Sequence, residues 1–493
     1  MKFHPDGNLE EPGLLYRVRN FAHNNNGAYK RIPTLVDSLY AQLATGRVLG
    51  SGVVKPLSGS PRLYTGSTTK VYEANGAAGW TDRSGAVTFA ATTWEFAAHG
   101  DYIVAANGAS KLQVATSGNF ADISDAPTGP KIIYSHANAL VALGSSTNGA
   151  AWYRCKTADH TVWTPAGNND AGSGTLYGGI GGALTAGGPW ENLALAWKSR
   201  AMYAGIYVGN ADPAQPSIRW QVVASDIGCV AQFAWIATEV GIVFVSERGI
   251  HLFNGNKPID IDQKIRKTFM AEAMTNRGSI FCTMDEGANH VYIWIRPSGS
   301  SGCTAAYIWN WKTGEWGYTQ EVADKTGLTI GDWKTPVRNV NYRDIATIGG
   351  FSTNSTETAN LFWDDTNDRL LNLSGIVYTG ANPSGDGFMR TGFLGRPDRD
   401  TTIVWVRPIS DAFTTTDQDL TLNVIPLDAL KNPWAVAPSA VTLSSDGRWD
   451  VVATARYFYL EITCGTDGGG PSIQRFQIGF HEADSTKIQV LDI

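Results

Sequence analysis

The chain has 493 residues, 43% hydrophobic and 17% charged, which excludes a disordered tail and suffices for two or three domains with sizeable cores. A formal net charge of -6 argues against a surface that grips nucleic acid by neutralising phosphates, but not against one that DNA slides past. With 54 Gly, 17 Trp, 18 Tyr and 18 Phe and almost no Leu- and Glu-rich helical periodicity, the composition favours an all-β class.

Residues 1–33 read as an extended N-terminal arm, punctuated by Pro5, Pro12 and Pro33 and expected to lie over other elements. Short apolar strands separated by Gly, Asn and Asp turns then recur. Arg62–Thr65 and Lys70–Ala74 open the series; Trp94–Phe96, Tyr102–Ala105 and Leu112–Val114 form a second unit, and Ile132–Tyr134, Ala139–Leu143 and Trp152–Cys155 a third. Gly172–Gly188 reads as a Gly-rich connector; its GGIGG segment lacks the GK[ST] and the strand-to-helix setting of a phosphate loop. Ala201–Val208 and Ser217–Val223 belong to a fourth unit. In Gly241–Gly255, the β-branched run Ile242–Val245 and the strand Ile250–Phe253 flank Glu247-Arg248-Gly249, a β-hairpin whose Gly is available for a positive φ.

Asp260–Thr275 reads as one short inserted helix, capped by Asp260 or Asp262, with Ile261, Ile265 and Phe269 as its apolar stripe. Its Lys264, Arg266 and Lys267 are read as a solvated face in preference to a basic contact patch. Ser279–Met284, Val291–Arg296 and Ala305–Trp311 resume the strands. Ile345–Gly349 with Asn360–Trp363 and Leu370–Leu373 is either a seventh unit or the completion of the first. Past Gly380 the strands lengthen: Thr401–Val406, Leu420–Ile425, Ala440–Leu443, Trp449–Ala453, Tyr457–Cys464 and Ile473–Phe480 suit a small β-sandwich.

Units of roughly 40 to 55 residues, each with several antiparallel strands, match the spacing of propeller blades, whose interfaces Trp and Tyr would fill. The expected fold is all-β: a β-propeller of six or seven blades over residues 34–380 and a C-terminal β-sandwich-like domain over residues 386–493. A β-helix is the structural rival, with shorter repeats.

Chemical motifs are sparse. Cys155, Cys229, Cys282, Cys303 and Cys464 have no CxxC spacing and read as reduced thiols packed as small hydrophobes. Ser145–Trp152 keeps Ser, Gly and Trp of a sialidase-type turn but has Thr147 where the Asp belongs, so a plain turn is expected. His99, His136, His160 and His251 each stand alone, without HExxH, and no Ser has a recognisable base and orienting acid. Asp364–Asp368 alternates oxygens but lacks the Gly and distal Glu of a calcium loop, and Asp82 and Asp101 read as turn residues. No catalytic, metal or cofactor residue is assigned, and an enzyme is not expected. The first residues lack the basic and apolar regions of a signal peptide, and no window approaches the ~18 apolar residues that span a bilayer, so synthesis in a cytoplasm is expected.

Several segments in order resemble one family. They are Gly13-Leu14-Leu15, Asn20 and Gly27–Pro33; Trp80-Thr81-Asp82; Trp94-Glu95-Phe96 with Gly100-Asp101 and Asn107-Gly108; and Trp163-Thr164-Pro165. Further on come Glu247–Ile250 with Pro258-Ile259, Tyr307–Trp311 with Gly314-Glu315-Trp316, and Arg407-Pro408 with Arg456-Tyr457. Their order resembles the packaged-DNA stabilisation proteins and tail nozzles, or hubs, of short-tailed bacteriophages. The resemblance implies a structural virion protein made in the host bacterial cytoplasm. It would form a homo-oligomeric ring, sixfold, below the portal and adaptor, meet other tail proteins such as fibres or spikes, retain packaged DNA and pass it during ejection. A glycan-binding or glycan-cleaving propeller is the alternative.

Overall fold

The computed structural model describes residues 1–11, 13–32, 35–37, 40–43, 47–75, 79–178, 180–209, 216–300, 302–320, 335–338, 361–364, 369–373, 387–395, 398–410, 420–428, 441–444, 446–464, 472–482 and 487–493. Antiparallel sheets follow one another in chain order, and each is the blade of a β-propeller. Blade 1 comprises Val48–Val54, Arg62–Ser67, Val71–Ala74 and Trp80–Asp82, and blade 2 runs from Glu95–His99 to Ala121–Asp122. Blade 3 runs from Ile132–His136 to Gly172–Thr175, and blade 4 holds Ile180–Trp190, Leu193–Tyr207 and Ile218–Ala224. Blade 5 is Trp235–Thr238, Gly241–Ser246, Gly249–Phe253 and Ile259–Asp260; blade 6 runs from Phe281–Asp285 to Trp316–Gln320.

A seventh blade starts at Thr335–Arg338, continues through Leu361–Asp364 and Arg369–Leu373, and takes Leu35–Asp37 as its outer strand. The expected Ile345–Gly349 element lies outside the described residues. Two seams therefore close the ring. Leu371 pairs with Asp37 at the rim, and Val337 and Arg338 pair in parallel with Ser51 and Gly52 at the hub. First strands pack on first strands around the axis. Burying both faces of a blade explains why Ile242–Val245 is a continuous apolar run, fully buried.

Aromatic rings fill the layers between blades, as in Trp94 stacked on Phe96 at 5.9 Å and Trp197 beside Trp235 at 5.5 Å. The glycines of Gly172–Gly188 serve this packing and are not a connector: the segment contributes the last strand of blade 3 and the first of blade 4. A Cβ on Gly188 would overlap the Trp235 ring, and one on Gly187 would overlap Leu143. Absent side chains hide a strand from any reading of side-chain alternation, yet let neighbouring sheets approach.

The N-terminal arm does not lie over the fold but is woven into it. Leu14–Arg19 pairs with Gly387–Thr391, while Phe21–His23 pairs with blade 6 through Tyr318 and with Tyr29–Arg31. Tyr29 in turn meets Ile473 of the C-terminal region. That region forms two sheets: Gly387–Thr391, Tyr457–Cys464, Leu420–Leu427 and Val441–Thr442 in one, and Ile473–Glu482, Thr401–Ser410, Trp449–Ala455 and Gln489–Asp492 in the other. Through the arm, the second is continuous with blade 6.

The helix is shorter than expected, Arg266–Ala273, followed by a 3-10 segment Met274–Ser279. Ile265 and Phe269 are buried as the stripe predicted. Neither Asp260 nor Asp262 caps it. Asp260 sits in the last strand of blade 5, and the cap comes from the distant arm: Asp6 accepts hydrogen bonds from the N–H groups of Lys267 and Thr268 at 2.5 and 3.0 Å. Two of the three cations expected on the helix are engaged within the chain, Lys264, which precedes it, with Glu315 at 2.6 Å and Arg266 with Asp262 at 2.6 Å.

Candidate functional site

At the propeller axis, polar side chains from blades that are not neighbours meet. Gln232, just before blade 5, donates to Glu95 Oε2 of blade 2 at 3.3 Å and to the Lys131 carbonyl at 2.9 Å, while Thr93 Oγ1 donates to Gln232 Oε1 at 2.9 Å. Arg338 of blade 7 donates to the Trp235 carbonyl of blade 5 at 2.8 Å, its guanidinium 4.3 Å from the centre of the Trp235 ring. Blades 2 and 5 can reach each other only across the axis, so this network closes it. Burial pushes the Glu95 carboxyl up to about 7, although the Arg338 charge and the Gln232 hydrogen bond favour its ionised form. Burial also lowers the pKa of Arg338. The resemblance included Glu95; its place at the axis needed the fold, because Gln232 and Arg338 lie far from it in sequence.

In blade 5 the chain assembles a constellation that the sequence reading did not expect. His251 is not alone. Its Nε2 lies 2.7 Å from Ser246 Oγ, and its Nδ1 lies 2.9 Å from Asp260 Oδ1, at an angle short of a well-formed hydrogen bond. Hydroxyl, imidazole and carboxylate stand in the order of a nucleophilic triad. Position decides against that chemistry: Ser246 and His251 are each 1% exposed, and Ser246 Oγ already accepts the Arg248 N–H at 2.9 Å. Burial lowers the His251 pKa against the pull of Asp260 and Asp262 and so favours the neutral ring.

The relay continues into the helix. Arg266 bridges Asp260 and Asp262, and Asp262 Oδ2 accepts the Ile250 N–H at 2.9 Å. Gly249, at φ +136°, leaves the room that Asp262 occupies; a Cβ there would overlap its carboxylate. The sequence did carry a signal. With a two-residue turn at Glu247-Arg248, Ser246 and His251 are diagonal neighbours on one face of the hairpin.

The other candidates stay apart. His99 and His160 have ring centres 6.0 Å apart, so they are neighbours, but among the described residues no group of three His, Cys, Asp or Glu is placed to hold a metal. His136 meets the Asn192 carbonyl. Ser145–Trp152 is a turn, with the Asn148 N–H donating to Ser145 Oγ at 3.0 Å. Asp82 accepts from Lys70, and Asp101 accepts from Ser58. Cys155, Cys229, Cys282 and Cys303 are buried free thiols. Of Asp364–Asp368, only Asp364 lies within the described residues, in a strand.

Two hollows remain. One of about 800 Å³ separates the arm, the helix and the C-terminal sheet, with Arg17, Arg19, Glu272 and Arg390 on its walls. Burial raises the Glu272 pKa, and its carboxylate accepts the Tyr307 hydroxyl at 2.8 Å. The other, about 310 Å³, lies between blades 3 and 4 and is faced by Trp152, Tyr177, Tyr203 and Trp220.

No protein-family model matches the chain, and no curated protein matches it. Among solved structures, the chain is similar to streptogramin B lyase, at 11% identity over 69% of this chain and 97% of that one, with a TM-score of 0.43. It is also similar to the β-propeller domain of Cps50 (Swd1) from Myceliophteria thermophila, at 11% identity over 68% and 98%, with a TM-score of 0.41. The propeller assignment stands on the chain's own seven blades and their closure.

Proposed function

We propose that this chain is a structural component of a short-tailed bacteriophage tail, a nozzle or hub subunit. Six copies form a ring below the portal and adaptor, retain packaged DNA and pass it during ejection. The observation that carries the reading is the ordered resemblance, whose segments run through the arm, the propeller and the C-terminal sandwich. Two features of the fold support it. The shared sheet ties those three parts into one body suited to be a ring subunit, and the contacts of Gln232 with Glu95 and of Arg338 with Trp235 across the propeller favour a DNA path between copies over one through a single propeller. Charge is consistent as well: six copies carry 6 × -6 = -36, and a lumen of that sign would avoid the counterion-release affinity that stalls sliding DNA. Electron microscopy of the purified protein and of virions tests the proposal. Rings coaxial with the tail are expected; a monomer with no place on the tail axis would overturn it.

A second reading, glycan binding, is favoured by the groove between blades 3 and 4. Tyr177 is 81% exposed there and Trp220 lines the same groove, an arrangement suited to stacking a sugar ring. Loss of host-polysaccharide binding in Tyr177→Ala would support this reading over the first.

A further inference from the structure

Resting on the ring reading, we propose that neighbouring copies join by β-strand addition: the Gln489–Asp492 strand of one copy pairs with the Ile218–Ala224 strand of the next. Blades 1, 2, 3, 5 and 6 each have four strands, whereas blade 4 has three among the described residues. Among the described strands its outer strand, Ile218–Ala224, pairs only with Leu193–Tyr207. Around this bare edge sit exposed apolar side chains, Val222 on the strand itself and Ile206, Val208 and Tyr177 beside it. An open strand edge with apolar flanks is a template for another strand.

The chain carries a second edge of the same kind. Gln489–Asp492 pairs only with Ile473–Glu482 among the described strands, and all four of its residues are exposed, Val490 by 55%. Two different edges on one chain are what a head-to-tail contact requires, and head-to-tail contacts close into rings when the rotation permits. Charge sets the direction. The blade 4 strand carries exposed Arg219 and no acid, the other carries exposed Asp492 and no base, and neither residue has an ion pair among the described residues. Antiparallel pairing with Arg219 opposite Asp492 places Gln221 opposite Val490 and supplies blade 4 with a fourth strand.

The test is covalent capture. A Gln221→Cys, Val490→Cys double variant, oxidised and run on a non-reducing gel, is expected to give a ladder of oligomers ending at the ring size. Either single variant stays monomeric, and an equal mixture of the two singles stops at dimers. Dimers from one single variant would mean like edges meet, which overturns the proposal. A monomeric double variant whose uncrosslinked form still shows rings by electron microscopy would overturn the edge pairing and leave the ring reading standing. Absence of rings from the unmodified protein would overturn both. As a second measurement, Val222→Lys, at an already exposed position, should leave the circular dichroism spectrum unchanged and abolish rings; persistent rings would also overturn the pairing.

Discussion

The carboxylate of Asp6 accepts the backbone N–H and, at 2.6 Å, the side-chain hydroxyl of Thr268, so a residue of the N-terminal arm caps the helix between blades 5 and 6. The helix has no side-chain cap of its own. Asp6→Ala should therefore cost about 1–2 kcal/mol, and Asp6→Asn distinctly less, because the amide oxygen still accepts. Urea denaturation of the three proteins measures the difference. Equal stability of Asp6→Ala and the unmodified chain would refute the cap.

Glu95 makes stability depend on pH. Its carboxyl titrates near 7 in the folded chain, against about 4.3 when unfolded. Between those values the folded state holds the extra proton, so stability should fall as pH rises through this window and level off above it. Glu95→Gln should flatten that slope. Urea midpoints at about pH 5 and about pH 8 for both proteins provide the check; parallel pH dependence would show that Glu95 is not its source.

Ser246→Ala leaves His251 Nε2 buried without its partner and should cost about 1–3 kcal/mol. The relay's structural role predicts lower thermal stability and no change in turnover of an activated ester. Lost turnover at unchanged stability would instead make Ser246 a nucleophile.

Val243 lies wholly inside blade 5. Val243→Asp places an unpaired charge there, for a cost of several kcal/mol, roughly 3 or more. Little soluble protein and no rings are expected, and normal yield with rings would contradict the burial.

What could be read from the residues followed the range of the forces involved. The hairpin at Val243 was legible because a β-branched run, a two-residue turn and a return strand are all local. The six C-terminal strands expected between Thr401 and Phe480 are found with shifted ends, whereas Gly387–Thr391, Leu394–Gly395 and Gln489–Asp492 were missed. Asp6 and Thr268, or Glu95 and Arg338, are joined only by the tertiary fold, and no local pattern announces them. Gly172–Gly188 failed for a different reason: strand signals are carried by side chains, and its two strands have few large ones. The helix cap was misassigned because Asp260 and Asp262 are good cap residues by type, yet a competing partner, Arg266, holds both.

The woven arm constrains the order of synthesis. Tyr29 leaves the ribosome long before Ile473, its pairing partner more than four hundred residues later, and at typical elongation rates the wait is on the order of tens of seconds. Leu35–Asp37 likewise waits for Arg369–Leu373 before blade 7 has its outer strand. A nascent chain thus holds its earliest strands with an open edge until its last ones arrive, and a truncated product cannot complete the sheet that joins propeller to sandwich. Faulty copies would be left with open edges inside the body of the subunit, marked for proteolysis before they could enter a ring.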